Sequence, residues 1–223
     1  MVKEQEEKSV QIQEQRGLWK ASSFIHRIAK RLIKKNSPIG IRYILEAHRL
    51  LFVEGKEKGM GGKYRRENPT VKRIDDSTLK IPHWKDVPNQ MAVLDETLKS
   101  KMSSLFHAFT KRDYVEIIDL AVSSSHRLAC IHPFHNGNGR MSRLLIDFIL
   151  FRAGLPSIAI KEDKIKYLQA MFQADNGDFG PLRRLVLKGL TESQKKKLYA
   201  QKSILTVRGG KQEMLNLRKR DFK

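Results

Sequence analysis

The chain has 223 residues, 40% of them hydrophobic, and carries 44 Lys and Arg against 24 Asp and Glu, a formal charge of +20. That length suits one domain with extensions and a sizeable core, and the charge favours acidic partners: nucleic acid, acidic proteins, nucleotides or a membrane surface. One cysteine, Cys130, excludes an intramolecular disulfide, and no apolar run approaches the roughly 20 residues of a membrane-spanning helix. The polar N-terminus, MVKEQEEKSVQIQEQR, does not resemble a signal peptide. Apolar sequence neighbours read Cys130 as a buried thiol in a reducing, cytoplasmic setting. A catalytic thiol is the competing reading, and it lacks an activating group.

Residues 1–16 lack apolar periodicity and read as a mobile or loosely helical lead. From Gly17 to Lys35, Leu18, Trp19, Phe24, Ile25, Ile28, Leu32 and Ile33 recur at helical spacing among Lys and Arg. The pattern predicts a basic helix packed on the domain, with a membrane- or partner-binding helix as the alternative. Asn36–Ser37–Pro38 reads as a helix start, a capping side chain followed by Pro in the first turn. That helix runs through Tyr43, Ile44, Leu50 and Leu51 to about Gly55. Gly55 to Gly62 reads as a loop. Two short extended pieces, Thr70–Ile74 and Leu79–Ile81, flank an Asp75–Asp76–Ser77 turn and form the one candidate β-hairpin. Apolar stripes then predict helices through Met91 to Leu105, Tyr114 to Ala129, Arg140 to Phe151 and Ile165 to Phe172, with another opening at Pro181. The basic stretch after Thr191 carries Lys195, Lys196, Lys197, Arg208, Lys211, Arg218, Lys219 and Arg220. It reads as a solvated helix and tail, or as an arm for an acidic protein or nucleic acid. The expected class is all-α with one small hairpin.

The break IHPFHNGNGR between two of these helices carries the chemistry. His132 ends one helix, Gly137–Asn138–Gly139 turns the chain, and the next helix starts near Gly139. First-turn amides lack internal partners, and with the helix dipole they attract anions, phosphate above all. The glycines allow close backbone approach. Arg140 and Arg143, three apart on one helix, suit a polyphosphate. A histidine at the mouth of such a site suits a general base. Together these parts point to transfer of a nucleotidyl or phosphoryl group to a hydroxyl.

The stretch His132–Pro133–Phe134–His135–Asn136–Gly137–Asn138–Gly139–Arg140–Met141–Ser142–Arg143 resembles the Fic signature HPFx(D/E)GNGRxxR. His126 stands where the family has an upstream His. Tyr167 to Leu182 is similar to its Y-x-x-A…A-D-x-G-D-x-x-P-L segment, and Gly62–Lys63–Tyr64–Arg65 to the G-x-Y/F-R before its flap hairpin. The resemblance implies a Fic-type helical bundle with a β-hairpin flap over the site. It divides the chain into an N-terminal lead and basic helix (1–36), a Fic domain (37–190) and a basic extension (191–223). It also implies AMP transfer from ATP, with Mg²⁺ or Mn²⁺, to a Ser, Thr or Tyr hydroxyl of a target protein. In that reading His132 is the base, and Phe134 anchors the loop. Gly137, Asn138 and Gly139 hold the inner phosphates, and Arg140 and Arg143 the outer ones. The flap, Thr70, Val71 and Lys72, pairs with the target.

Asn136 departs from the pattern, standing where the family has a metal-binding Asp or Glu. An Asn carbonyl lacks the charge that a hard cation prefers. The departure implies either weakly held metal with retained activity or a silenced nucleotide- or protein-binding module. Gly137 and Arg140 fit the AMP-transferring members rather than the phosphate-transferring ones. No (S/T)xxxE(G/N) inhibitory pattern is present: Ser9 is followed at the required spacing by Gln13, and Glu14 lies one residue too far. An inhibitor on a separate, antitoxin-like chain is therefore expected.

Overall fold

The computed structural model describes residues 2–54, 57–104, 111–158, 160 and 164–198. Leu105, the Gly209–Gly210 break and the basic residues Arg208, Lys211, Arg218, Lys219 and Arg220 lie outside these. Six helices are α1 (Val2–Lys34), α2 (Ile41–Leu51), α3 (Val87–Ser104), α4 (Lys111–Ile131), α5 (Asn138–Arg152) and α6 (Lys164–Asp175). Residues 180–198 form a further helix, α7, which runs through residue 190 without a break. A single 3₁₀ turn, Trp84–Asp86, precedes α3.

α5 is the axis of the bundle. Met141, Leu144, Leu145, Ile146, Phe148, Ile149 and Leu150 are all buried. A helix apolar on every side must be enclosed by others, and α4 and α1 pack along this one. Buried polar groups fix the packing. Asp147 on α5 pairs with His26 of α1 at 2.7 Å and accepts the Ile158 amide at 2.9 Å. Arg152 donates to the Ser37 carbonyl at 2.8 Å.

The N-terminal lead is regular helix, because α1 is continuous from Val2. Its inner stripe is Ala21, Ile25, Ile28, Ala29 and Leu32, while Trp19 is 71% exposed. Leu18 and Ile33, expected on the inner face, are exposed as well. Asn36 has the opposite role to the one its sequence suggests. It adopts φ 47° and closes α1, with Asn36 N–H bonding the Ile33 carbonyl and Ser37 N–H the Leu32 carbonyl. These are the paired bonds of a C-terminal cap, and Asn tolerates the left-handed conformation they need. α2 starts later, at Ile41, and its first amide is capped from α3 by Asp95 at 2.7 Å.

The expected hairpin is not a pair of strands. Among the described residues no strand is assigned, and residues 71–79 close through one antiparallel bridge, Lys72 to Thr78. Arg73 N–H donates to the Ser77 carbonyl and Leu79 N–H to the Val71 carbonyl, at 2.8 and 2.9 Å. Asp75 accepts from the Ser77 amide and hydroxyl and shapes the turn.

Gly17 lets α1 approach α2: a Cβ there would lie 2.2 Å from the Leu51 carbonyl oxygen. Ala in a helix interior ordinarily gains about 0.5–1 kcal/mol over Gly. Overpacking against backbone costs roughly 1–3 kcal/mol and wins here. Gly17→Ala should therefore lower the urea midpoint with the slope unchanged; a raised midpoint would show that α1 moves aside freely.

Candidate functional site

α4 ends at Ile131 because Pro133 follows, and the residue before a proline is driven out of the helical region. His132 there adopts φ 49°, a sparsely populated conformation for a non-glycine residue. Arg65 holds it. This arginine is 3% exposed, and its guanidinium donates to the carbonyls of His132 (2.7 Å), Glu67 (2.6 Å) and Pro82 (2.6 Å). Its amide donates to the Pro133 carbonyl at 2.9 Å. No carboxylate pairs with it among the described residues; the carbonyls at the negative end of α4 neutralise it instead. Burial pushes its pKa below the ordinary arginine value, and guanidinium stays charged regardless.

Phe134, fully buried, pins the loop from below. His48 of α2 stacks on its ring at 3.6 Å and 8°. Nδ1 of His48 accepts the Gly62 amide at 2.8 Å, so Nε2 carries the proton and donates to the Asn136 carbonyl at 3.0 Å. Asn138 bonds both the amide and the carbonyl of Phe134, at 3.0 and 2.8 Å. Its side chain is therefore a staple inside the loop, leaving its backbone for a ligand.

Gly137 caps α5 with φ 79° and ψ 5°, and a Cβ there would press on the Phe52 ring at 3.0 Å. The first intrahelical bond runs from Met141 N–H to the Gly137 carbonyl. The amides of Asn138, Gly139 and Arg140 precede it at the positive end of the helix. Gly139 is exposed, and the Arg143 guanidinium lies 3.9 Å from where its Cβ would be. Arg143 also covers Tyr167, and Arg140 covers Phe52. Both arginines border a cavity of about 410 Å³ against α1 and α7.

His132 is half-buried, and burial, with the Arg65 and Arg73 charges, holds its pKa below the ordinary histidine value, against a backbone hydrogen bond that raises it. It is neutral at pH 7 and able to take a proton. Asn136 is exposed; its side-chain oxygen accepts the Gly137 amide at 2.6 Å, and its NH₂ donates to both carboxylate oxygens of Glu57 at 3.0 Å. Thr70 and Lys72 are exposed and Val71 half-buried on the flap. Because residues 71 and 73 bond inward to 79 and 77, the backbone groups of Lys72 face outward. One loop thus carries His132, Asn136 and the 137–143 segment from the end of α4 to the start of α5, and Arg73 of the flap acts on His132 through its charge.

Two acids were not read as site residues. Glu14 of α1 reaches Arg140 at 3.2 Å; it misses the inhibitory spacing, yet its helix carries it to the first of the two motif arginines. Glu57 lies against Asn136. Asp175 is the third unassigned group, inside the quoted 167–182 segment. It receives Arg73 of the flap and, at 2.7 Å, His126 of α4. Cys130 stands beside both at 3.4 Å from His126 Nε2, so its spatial neighbours are polar. Burial first, then the Asp175 charge, push its pKa up, and it is an inert thiol. Only contact could reveal Glu14 and Glu57; Asp175 is the first Asp of the quoted A-D-x-G-D pattern, and the four-residue spacing of His48 from Ile44 places it on the inner face of α2.

Residues 38–150, more than half of the chain, match the Fic/DOC family. The chain belongs to that family. It is 34% identical over 158 residues to a protein of Nematostella vectensis named protein adenylyltransferase Fic, covering 70% of this chain and 34% of that one. The chain thus spans about a third of the length of that curated relative. Among solved structures, Fic-1 (aa134–508) from C. elegans superposes with a TM-score of 0.67 at 24% identity, over 85% of this chain and 52% of that one. BepC, a VirB-translocated effector from Bartonella tribocorum with bound AMPPNP, gives 0.50 at 18% identity, over 72% and 83%. These likenesses establish the Fic-type helical fold.

Burial pushes the pKa of His48 down to about 4 from an ordinary 6.5. The unfolded chain therefore binds more protons between those values. This contribution to stability is full above about pH 6.5 and is lost as pH falls towards 4, by up to roughly 3 kcal/mol. His48→Gln should unfold at lower temperature than the parent at pH 7 but with a flatter decline from pH 6.5 to 4.5. Parallel declines would exclude His48 as the source.

Proposed function

We propose that this chain is a protein adenylyltransferase that moves AMP from ATP to a hydroxyl side chain of a target protein. The observation that carries the reading is the adjacency of a neutral, rigidly held His132 to the open amides of α5. The hydroxyl oxygen attacks the α-phosphorus, the bond to the bridging oxygen breaks, and pyrophosphate leaves. His132 takes the hydroxyl proton. The α5 amides hold phosphate, and Arg140 and Arg143 offset charge developing on pyrophosphate. The outward backbone of Lys72 supports strand addition by an extended target segment, and the Arg73–Asp175 contact steadies the flap for it.

A divalent cation bound here would supply positive charge that offsets the charge of the phosphates and of the leaving pyrophosphate. The residues at this end of α5 offer oxygen, the donor type that suits Mg²⁺ or Mn²⁺, although the Asn136 side-chain oxygen already accepts the Gly137 amide. The second reading, a nucleotide- or protein-binding module without turnover, is favoured by Asn136 alone.

Incubation with α-labelled ATP, Mn²⁺ and lysate should label a protein band, and His132→Ala should abolish it. A band of equal strength with His132→Ala would refute the base, and a dark wild type that still binds ATP would favour the module. Since the His132 pKa is lowered, labelling should fall on acidification at a lower pH than an ordinary histidine would dictate; a fall centred above the ordinary histidine value would count against His132 as the base.

Glu14 competes with phosphate for Arg140. The pair is half-exposed at Glu14 (55%) and so worth at most about 1 kcal/mol. Glu14→Gln should tighten ATP binding up to about fivefold, read by calorimetry; unchanged affinity would mean that Glu14 imposes no restraint.

A further inference from the structure

We infer that Glu57 supplies the carboxylate that position 136 lacks, so that a divalent cation is held between Glu57 and the bound polyphosphate. The inference rests on the nucleotide-transfer reading above. Asn136 cannot carry the charge, but both of its outward functions are committed. Its oxygen is fixed by the Gly137 amide at 2.6 Å, and its NH₂ grips both oxygens of Glu57 at 3.0 Å. The negative charge expected on the loop therefore stands one side chain further out, oriented by the residue that replaced it. Asn136 becomes a positioning residue and Glu57 the ligand.

Three observations favour this over an incidental surface bond. Glu57 has no cationic partner among the described residues in a chain of charge +20, whereas neighbouring Glu14 and Glu54 are paired with Arg140 and Lys20. Glu57, Asn136 and Arg140 border the same cavity of about 210 Å³, at the capped end of α5. The turn that carries Glu57 is tied down, with Met60 N–H bonding the Glu57 carbonyl at 3.1 Å and Gly62 N–H bonding His48. An uncompensated carboxylate beside an anion-binding loop repels phosphate by itself; a divalent cation between them turns the repulsion into attraction.

The test uses the full chain and an ATP analogue with an uncleavable α,β bridge. Its affinity is measured by calorimetry in EDTA and in Mn²⁺, and Mn²⁺ binding to each complex by paramagnetic resonance. Wild type should bind in EDTA through the loop and more tightly in Mn²⁺. Glu57→Gln should bind at least as tightly in EDTA, because the repelling carboxylate is gone, which also shows that it is folded, and should lose roughly tenfold of the Mn²⁺ gain. Glu57→Gln with Asn136→Asp should recover the gain by returning the charge to the loop. An Mn²⁺ gain that survives Glu57→Gln, or one that the double variant fails to restore, overturns the assignment while leaving the nucleotide reading intact. No analogue binding to wild type in either condition overturns the nucleotide reading itself, and the Glu57 assignment with it.

Discussion

Arg65 makes the hydrogen bonds on which the rest of the site depends. One buried guanidinium gathers carbonyls from the end of α4, from the segment leading into the flap and from the segment leaving it. Burying a cation without a carboxylate is tolerable only because several carbonyl dipoles converge on it. Lysine would keep the charge but could not span those directions, since it lacks the planar fork. Through the His132 carbonyl, Arg65 also holds the histidine in its unusual backbone conformation and sets where its ring can point.

Around that anchor, positive and negative groups are finely balanced. The amides at the start of α5, Arg140 and Arg143 supply the positive side, which in the proposed reaction attracts a polyphosphate. Glu14 and Glu57 oppose it from α1 and from the turn after α2. Neither acid belongs to the signature loop, and each touches it through a different residue, Arg140 in one case and Asn136 in the other. Charge at the loop is thereby set in part from outside it. The flap is bound separately. Asp175 receives Arg73 and His126 together, joining flap, α4 and α6.

The bundle was legible because its signals are local and periodic. Buried stripes on α3, α4 and α5 follow largely from apolar spacing, whereas Ile165 and Leu168 of α6 and Tyr114 of α4, expected inside, are exposed; the Gly137 turn follows from its composition. The departures have equally physical causes. Asn36 carries no mark that separates a helix start from a helix end, since Asn suits both; its φ of 47° decides it. Trp19 and Ile33 lie on the outer side of a helix whose buried stripe is set by the α2 and α5 contacts. The lead before Gly17 is helical although it lacks an apolar face, so periodicity could not reveal it.

The order of residues alone determined the helical class and the glycine turn between His132 and Arg143, because each depends on neighbours within one or two turns of chain. Tertiary structure alone decided what surrounds them. Arg65 meets His132 across 67 positions, Glu57 meets Asn136 across 79, and His48 meets the Asn136 carbonyl across 88. No local spacing encodes such pairs. They arise because α2 and the loop before the flap are packed against the loop that follows α4.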